Sequence, residues 1–261
     1  IELQERVAEM FGKEAGLFIA SGTMSNAIAL KTHTVPGDEI VCDKTAHIYR
    51  YEGGGYAALC GASIALVEGE KSLMTPAQVK ALIRKADGSG SHYPNGSLVC
   101  VENTSNLGGG ACYDLETLDA VAEVATSMDC KTHVDGARIF NAAIATGVDV
   151  DRMCQAYDSV SICFSKGLGA PVGSVLVGSS EFIAKAHRWR KMFGGGWRQA
   201  GILAAGCLYA LDHHVERLKE DHERASYVAT ELNSLDGFSV DLDTVQTNMV
   251  YVECQRPASE V

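Results

Sequence analysis

No run of Lys and Arg occurs anywhere in this chain, which carries 22 basic against 33 acidic residues and a formal net charge of -11. Nucleic-acid binding draws its affinity from clustered basic side chains, so that class of function is set aside. An acidic surface still allows a locally positive pocket for a small anion. Also missing are any apolar stretch near the ~20 residues a bilayer span needs and any visible secretory leader. Neither a membrane nor a nucleic acid is therefore expected as a partner. The nine cysteines include no Cys-x-x-Cys pair. Several stand in apolar strand-like runs, such as Leu98-Val99-Cys100-Val101 and Ser161-Ile162-Cys163-Phe164. That is the pattern of buried free thiols in a reducing compartment, and a cytoplasmic protein is expected. There is no internal repeat. No strand leads into G-x-G-x-x-G with a following acidic residue, which argues against a nicotinamide oxidoreductase.

What is present fits a globular protein: 261 residues, 46% hydrophobic and 21% charged. Short apolar runs at 17–20, 39–42, 63–67, 97–102, 131–134, 159–164 and 173–177 alternate with helical patterns such as 23–32, 75–85 and 115–127. Asp114 is a good N-cap for the last of these. Strands alternating with helices predict an α/β fold, a mostly parallel sheet covered on both faces. A helical region from about 181 to 227 is interrupted at Gly194-Gly195-Gly196, and short strands return after Asp236-Gly237. We expect a large domain over 1–220 and the start of a smaller C-terminal α/β domain over 221–261. Residue 1 already lies in an amphipathic pattern, and the chain stops just after a strand-like run. Both ends are expected to be cuts through a longer protein.

In parallel sheets ligands gather at the carboxyl ends of the strands, so polar residues just after strands are the candidates. Five segments qualify. Ser21-Gly22-Thr23 offers a tight turn and helix N-terminal amides for an anion, though alone it is also an ordinary helix cap. His133-Val134-Asp135-Gly136-Ala137-Arg138 puts a carboxylate and a forked cation at a strand end, equally readable as a surface pair. Ser165-Lys166-Gly167 ends an apolar strand, an unusual place for a lysine, where burial would favour the neutral amine. Ala46-His47 places an imidazole after another strand, for ring contact or proton transfer, or merely on a helix face. Lys191 and Arg198 flank a glycine turn that would suit a phosphate, or only a hinge. Adjacent His213 and His214 cannot share a helix face, so no metal is expected there.

Together these segments carry a resemblance. His-Val-Asp-Gly-Ala-Arg at 133–138, Ser-Lys-Gly-Leu-Gly-Ala-Pro-Val-Gly-Ser at 165–174 and Arg-Lys-Met-Phe-Gly-Gly-Gly-Trp-Arg-Gln-Ala-Gly at 190–201 resemble the low-specificity threonine aldolases. Those are fold-type-I enzymes of pyridoxal 5′-phosphate (PLP), related to the aspartate aminotransferases. The resemblance implies a seven-stranded, mostly parallel sheet. It implies that Lys166 holds PLP as a Schiff base, that Asp135 pairs with the pyridine nitrogen and that His47 stacks on the ring. Gly22 and Thr23 would hold the phosphate, and Arg138 the substrate carboxylate or the ring oxygen. It further implies a homo-oligomer, a dimer of dimers, in which Arg198 and Lys191 reach a neighbouring site. In bacterial members a histidine follows the Glu-Asn-Thr motif and contacts the substrate hydroxyl. Here Glu102-Asn103-Thr104 is followed by Ser105. A serine can hydrogen-bond that hydroxyl but is a poor base near neutral pH, which leaves His47 or a water as the base. The implied reaction is cleavage of threonine or allo-threonine to glycine and acetaldehyde. The alternatives are another PLP reaction on a small amino acid, racemisation of alanine or β-elimination, and a non-catalytic protein on this fold. The last would be expected to have lost Lys166 or Asp135.

Overall fold

A computed structural model describes residues 1–257. Its strands are β1 (Ala15–Ile19), β2 (Asp38–Asp43), β3 (Ser63–Val67), β4 (Asn95–Glu102), β5 (Lys131–Gly136), β6 (Ser159–Cys163) and β7 (Ser174–Gly178), with a two-residue pair β8 (Phe238–Ser239) and β9 (Glu253–Cys254) apart from them. The helices are α1 (Glu2–Met10), α2 (Gly22–His33), α3 (His47–Arg50), α4 (Gly55–Ala58), α5 (Pro76–Leu82), α6 (Leu115–Ser127), α7 (Ile139–Thr146), α8 (Val150–Cys154), α9 (Ser180–Met192), α10 (Gly201–His213) and α11 (Leu218–Asn233). The seven strands form one sheet in the order β1-β7-β6-β5-β4-β2-β3. β7 runs antiparallel to both its neighbours, and the other pairings are parallel. The α/β expectation and each of the seven strands stand.

Strands covered on both faces must be apolar on both, and β6 and β7 are buried along their whole length. Successive side chains serve opposite cores. Val41, Val99, Val101, Val175 and Val177 belong to one cluster, with α1, α6 and α7. Ile40, Cys42, Leu98 and Cys100 face the other way, as does Leu176. On that second face α2 is caught between the sheet and α9. Six consecutive residues from Ser25 to Leu30 are buried, as expected of a helix covered all round. Asp114 caps α6 by accepting from Thr117 N at 2.8 Å, as its position predicts.

Two expectations shift. The 181–227 region breaks at the glycines as expected and again at 214–217, where His214 Nδ1 donates to Leu168 O at 2.6 Å. The boundary expected between 220 and 221 falls inside α11, which packs against α7. All nine cysteines are free. No helix among the described residues is long and apolar enough to cross a membrane.

Candidate active site

Three parallel strands end side by side. Glu102 is opposite Asp135, and Asp135 opposite Ser161, so carboxylates finish β4 and β5 while β6 runs on through Cys163 towards Lys166. Over this edge comes the first turn of α2. Ser21 caps it by accepting from Met24 N at 3.2 Å, and Gly22 and Thr23 follow, Thr23 exposed. A Cβ on Gly22 would lie 2.6 Å from Cys163 Sγ, so only glycine lets the helix start press this close to β6. Ser25 and Ser161 lock the contact with an Oγ–Oγ hydrogen bond of 2.7 Å, both buried.

Asp135 is 4% exposed. Its Oδ2 accepts from Asn26 Nδ2 at 2.8 Å and its Oδ1 from Ala137 N at 3.2 Å. The same Asn26 amide donates to Glu52 Oε1 at 2.8 Å. Glu52 in turn accepts from His47 Nδ1 at 2.9 Å. His47 N donates to Glu102 Oε2, and Asn106 N to Glu102 Oε1, each at 2.8 Å. The hydrogen bond to Glu52 raises His47 above an ordinary imidazole, against the opposing effect of burial. Burial raises Glu52 despite its partners. Burial and the nearby Asp135 charge push Glu102 up to about 7.

Two cations border these carboxylates. Among the described residues neither the Lys166 ammonium nor the half-buried Arg138 guanidinium has a side-chain hydrogen bond or ion pair. Burial raises the Cys163 thiol, and the charges of Lys166, Asp135 and Arg138 are all close enough to act on it as well. The Lys166 turn is closed by Gly169 N donating to Lys166 O at 2.8 Å and is held from outside by His214. Lys191 and Arg198 are exposed, likewise without a side-chain partner among the described residues. Their loop rests on α2, since a Cβ on Gly195 would lie 2.5 Å from Met24 Sδ. Ser105 is 1% exposed, and its Oγ accepts from Gly108 N at 3.1 Å. That oxygen helps close its own loop.

Several residues here carried no signal in the sequence. Asn26 sits mid-helix, and Glu52 precedes three glycines. Segment 246–251 clamps the loop after β4: Cys112 N donates to Gln246 Oε1 at 2.8 Å, Thr247 Oγ1 to Gly110 O at 3.0 Å, and Tyr251 Oη to Asn106 O at 3.0 Å. Asn248 keeps a buried Oδ1 without a partner among the described residues, beside Gly167.

A model of the β-eliminating lyase family matches residues 1–255. The chain belongs to the β-eliminating lyase family. Over 97% of its length this lyase is 44% identical to low-specificity L-threonine aldolase 1 of Arabidopsis thaliana, covering 71% of that protein. Over 96% it is 41% identical to the low-specificity L-threonine aldolase of Escherichia coli, covering 73% of it. The solved structure of Leishmania major threonine aldolase superimposes with a TM-score of 0.80 at 17% identity, covering 92% of this chain and 70% of that one, which speaks for the fold. The lyase is PLP-dependent like its family.

The residues suit that cofactor. A lysine amine without a side-chain partner among the described residues, a buried carboxylate and the amides of a helix start match the aldehyde, the ring nitrogen and the phosphate respectively. A metal suits the site less well. His47, Glu52 and Asp135 bring ligand atoms within 4.8 Å of one another. The Asn26 NH₂, however, already donates to both carboxylates, and its hydrogens occupy the direction a cation would need. A second hollow, lined by His33, Tyr157 and Asp158 among others, opens at the amino ends of the strands, opposite the usual ligand edge. Its lysines are already engaged: Lys131 with Asp158, Lys185 with Glu181 and Lys13 with Tyr157 O.

Proposed function

We propose that this lyase cleaves L-threonine and L-allo-threonine between Cα and Cβ, giving glycine and acetaldehyde. The observation that carries the reading is the convergence of Lys166, Asp135, Arg138 and the Glu52-held His47 on one strand edge. The cofactor supplies a protonated pyridine ring that takes up the electron pair left on Cα when the bond breaks. Everything else is the work of side chains. Lys166 would hold the cofactor through its side-chain amine. Asp135, kept as an acceptor by Asn26, holds the proton on the ring nitrogen. Gly22 and Thr23 bind the phosphate. Arg138, without a side-chain partner among the described residues, binds the substrate carboxylate with its planar fork, which fixes the rotation about Cα.

His47 covers the ring and acts as base. Its Nδ1 carries the hydrogen that goes to Glu52, so Nε2 has the free lone pair and can take the β-hydroxyl proton. The same proton, returned to Cα, completes glycine. Ser105, buried beneath its loop, has no part in proton transfer on this reading.

We further propose a homo-oligomer in which Lys191 and Arg198 reach the phosphate of a neighbouring subunit. Their exposure and lack of partners among the described residues support it, as do the apolar Met192, Trp197 and Ile202 exposed on the same stretch. A cytoplasmic location is supported by the nine free thiols. The family's description favours β-elimination as the second reading, so the test compares both. Purified protein with PLP is expected to release acetaldehyde from L-threonine and L-allo-threonine, with little pyruvate from L-serine. Lys166→Ala should lose both the visible absorption of the bound cofactor and the activity. Pyruvate as the main product, or an unchanged visible band in Lys166→Ala, would sink the proposal.

A further inference from the structure

Asp135 and Glu52 receive their hydrogen bonds from a chain of side chains that leads away from the cleft, across the strands. Asn26 Oδ1 lies 3.2 Å from His133 Nε2, His133 Nδ1 lies 2.8 Å from Ser159 Oγ, and that oxygen lies 2.7 Å from His33 Nε2. Asn26, His133 and Ser159 are fully buried. One constraint fixes the direction of every link. An ionised carboxylate only accepts, so Asn26 turns its NH₂ to Asp135 and Glu52. Its Oδ1 then faces His133, which must donate from Nε2. The other nitrogen of that ring accepts from the Ser159 hydroxyl, and the Ser159 oxygen accepts from His33 Nε2. Burial keeps both rings neutral, pushing His133 down to about 3 and His33 to about 4. Each donor in the chain therefore points towards the carboxylates, and hydrogen bonds aligned this way polarise one another.

We propose that Asn26 is a positioning residue whose amide, oriented by His133, Ser159 and His33, aims Asp135 at the ring nitrogen of the cofactor and ties it to the Glu52–His47 pair. Its part at the cofactor rests on the site reading above; the direction of the chain does not. Asn26 never touches the reacting atoms. It fixes Asp135 Oδ2, as the Ala137 amide fixes Oδ1, and keeps the two carboxylates from repelling each other by sharing one NH₂ between them.

The test uses the full chain, with PLP bound and stripped, and ¹⁵N-labelled histidine. His133 is expected in the Nε2–H form in both states. Asn26→Asp keeps the shape but removes the donor and adds a charge; it should weaken PLP binding by roughly 10- to 100-fold. It should also bring His133 into titration beside the new carboxylate. Ser159→Ala touches neither carboxylate, yet should weaken PLP binding by roughly threefold to tenfold through loss of one aligned bond. A residue that only filled space would leave PLP affinity unmoved in both isosteric variants. A proton on His133 Nδ1, or wild-type PLP affinity in both variants, would overturn the inference. Wild-type protein that binds PLP but does not cleave threonine would overturn the proposed function instead, leaving these readouts to decide the role of Asn26.

Discussion

His47 Nδ1 and Glu52 Oε1 are 2.9 Å apart, joined across five residues by a turn that leaves its helix just before three glycines. Tyr51 N donates to His47 O at 2.9 Å and closes the turn that brings Glu52 back to the imidazole, and the chain then leaves through Gly53 and Gly54, both with positive φ. The carboxylate settles which imidazole nitrogen carries the hydrogen, and it raises the pKa of the ring. A raised pKa delays the appearance of the neutral base as pH increases. In Glu52→Gln the acidic limb of the kcat/KM profile should therefore move to lower pH, while the plateau falls because the tautomer is less firmly held. A limb that stays in place, measured over the same buffers, would remove His47 from the role of base.

Glu102 leads to a prediction about stability. Its folded pKa of about 7 lies above the ordinary 4.5, so the folded state binds the proton more tightly than the unfolded one. The stability it contributes is fully present below the unfolded value and is lost as pH rises through about 7. His47, also raised, acts with the same sign. His33 and His133, depressed to about 4 and about 3, act with the opposite sign below their ordinary 6.5, so the Tm of the cofactor-free protein should fall above that value, between about pH 6.5 and 8. Glu102→Gln should flatten that slope, whatever its absolute Tm. Equal slopes in the two proteins would contradict the assignment.

Gly22 tests the contact between α2 and β6. Gly22→Ala puts a methyl group 2.6 Å from Cys163 Sγ, so the first turn of the helix must shift. Overpacking of this kind costs about 1–3 kcal/mol, and the phosphate amides move with the turn. We expect weaker PLP binding by fluorescence titration and a lower Tm. Cys163→Ala in the same chain should restore much of both, since it removes the atom in the way. Absence of any rescue would mean that the glycine serves the phosphate directly and not the packing.

Arg138 has a cationic fork and no protein partner among the described residues, so replacing it should cost little stability. Arg138→Met is expected to raise KM for threonine by roughly 10- to 100-fold, the value of hydrogen bonds to a charged group. Calorimetry should show unfolding within about 0.5 kcal/mol of wild type. If the spectrum of the bound cofactor changes while KM does not, Arg138 serves the ring oxygen instead.

Much of this site could be read from the chain order. Asp135 and Lys166 follow apolar runs that had to be neighbouring strands, and parallel strands end on the same edge. Period and turn chemistry place all seven strands within a few residues, because local burial on both faces selects β-branched residues at each one. Helix breaks were less legible. The end of α10 depends on His214 reaching Leu168 O, a contact across 46 residues that leaves no mark in the local pattern.

By itself, the sequence determined the α/β alternation, the strand ends where polar side chains gather and the lysine proposed to hold the cofactor. These follow from hydrophobic period and from residues out of place in their surroundings. Tertiary structure alone decided how those residues are held. Asn26 lies 109 positions from Asp135 and looks like any polar residue within a helix. It matters because α2 is buried between the sheet and α9, where an amide must find partners, and the partners it finds are the carboxylates of the site. Ser105 is similar: its sequence position suggested a substrate contact, and only the fold shows that its oxygen accepts from the Gly108 amide. Hydrogen-bond direction and burial are properties of the packed chain, and no window of sequence contains both ends of the bonds that set them.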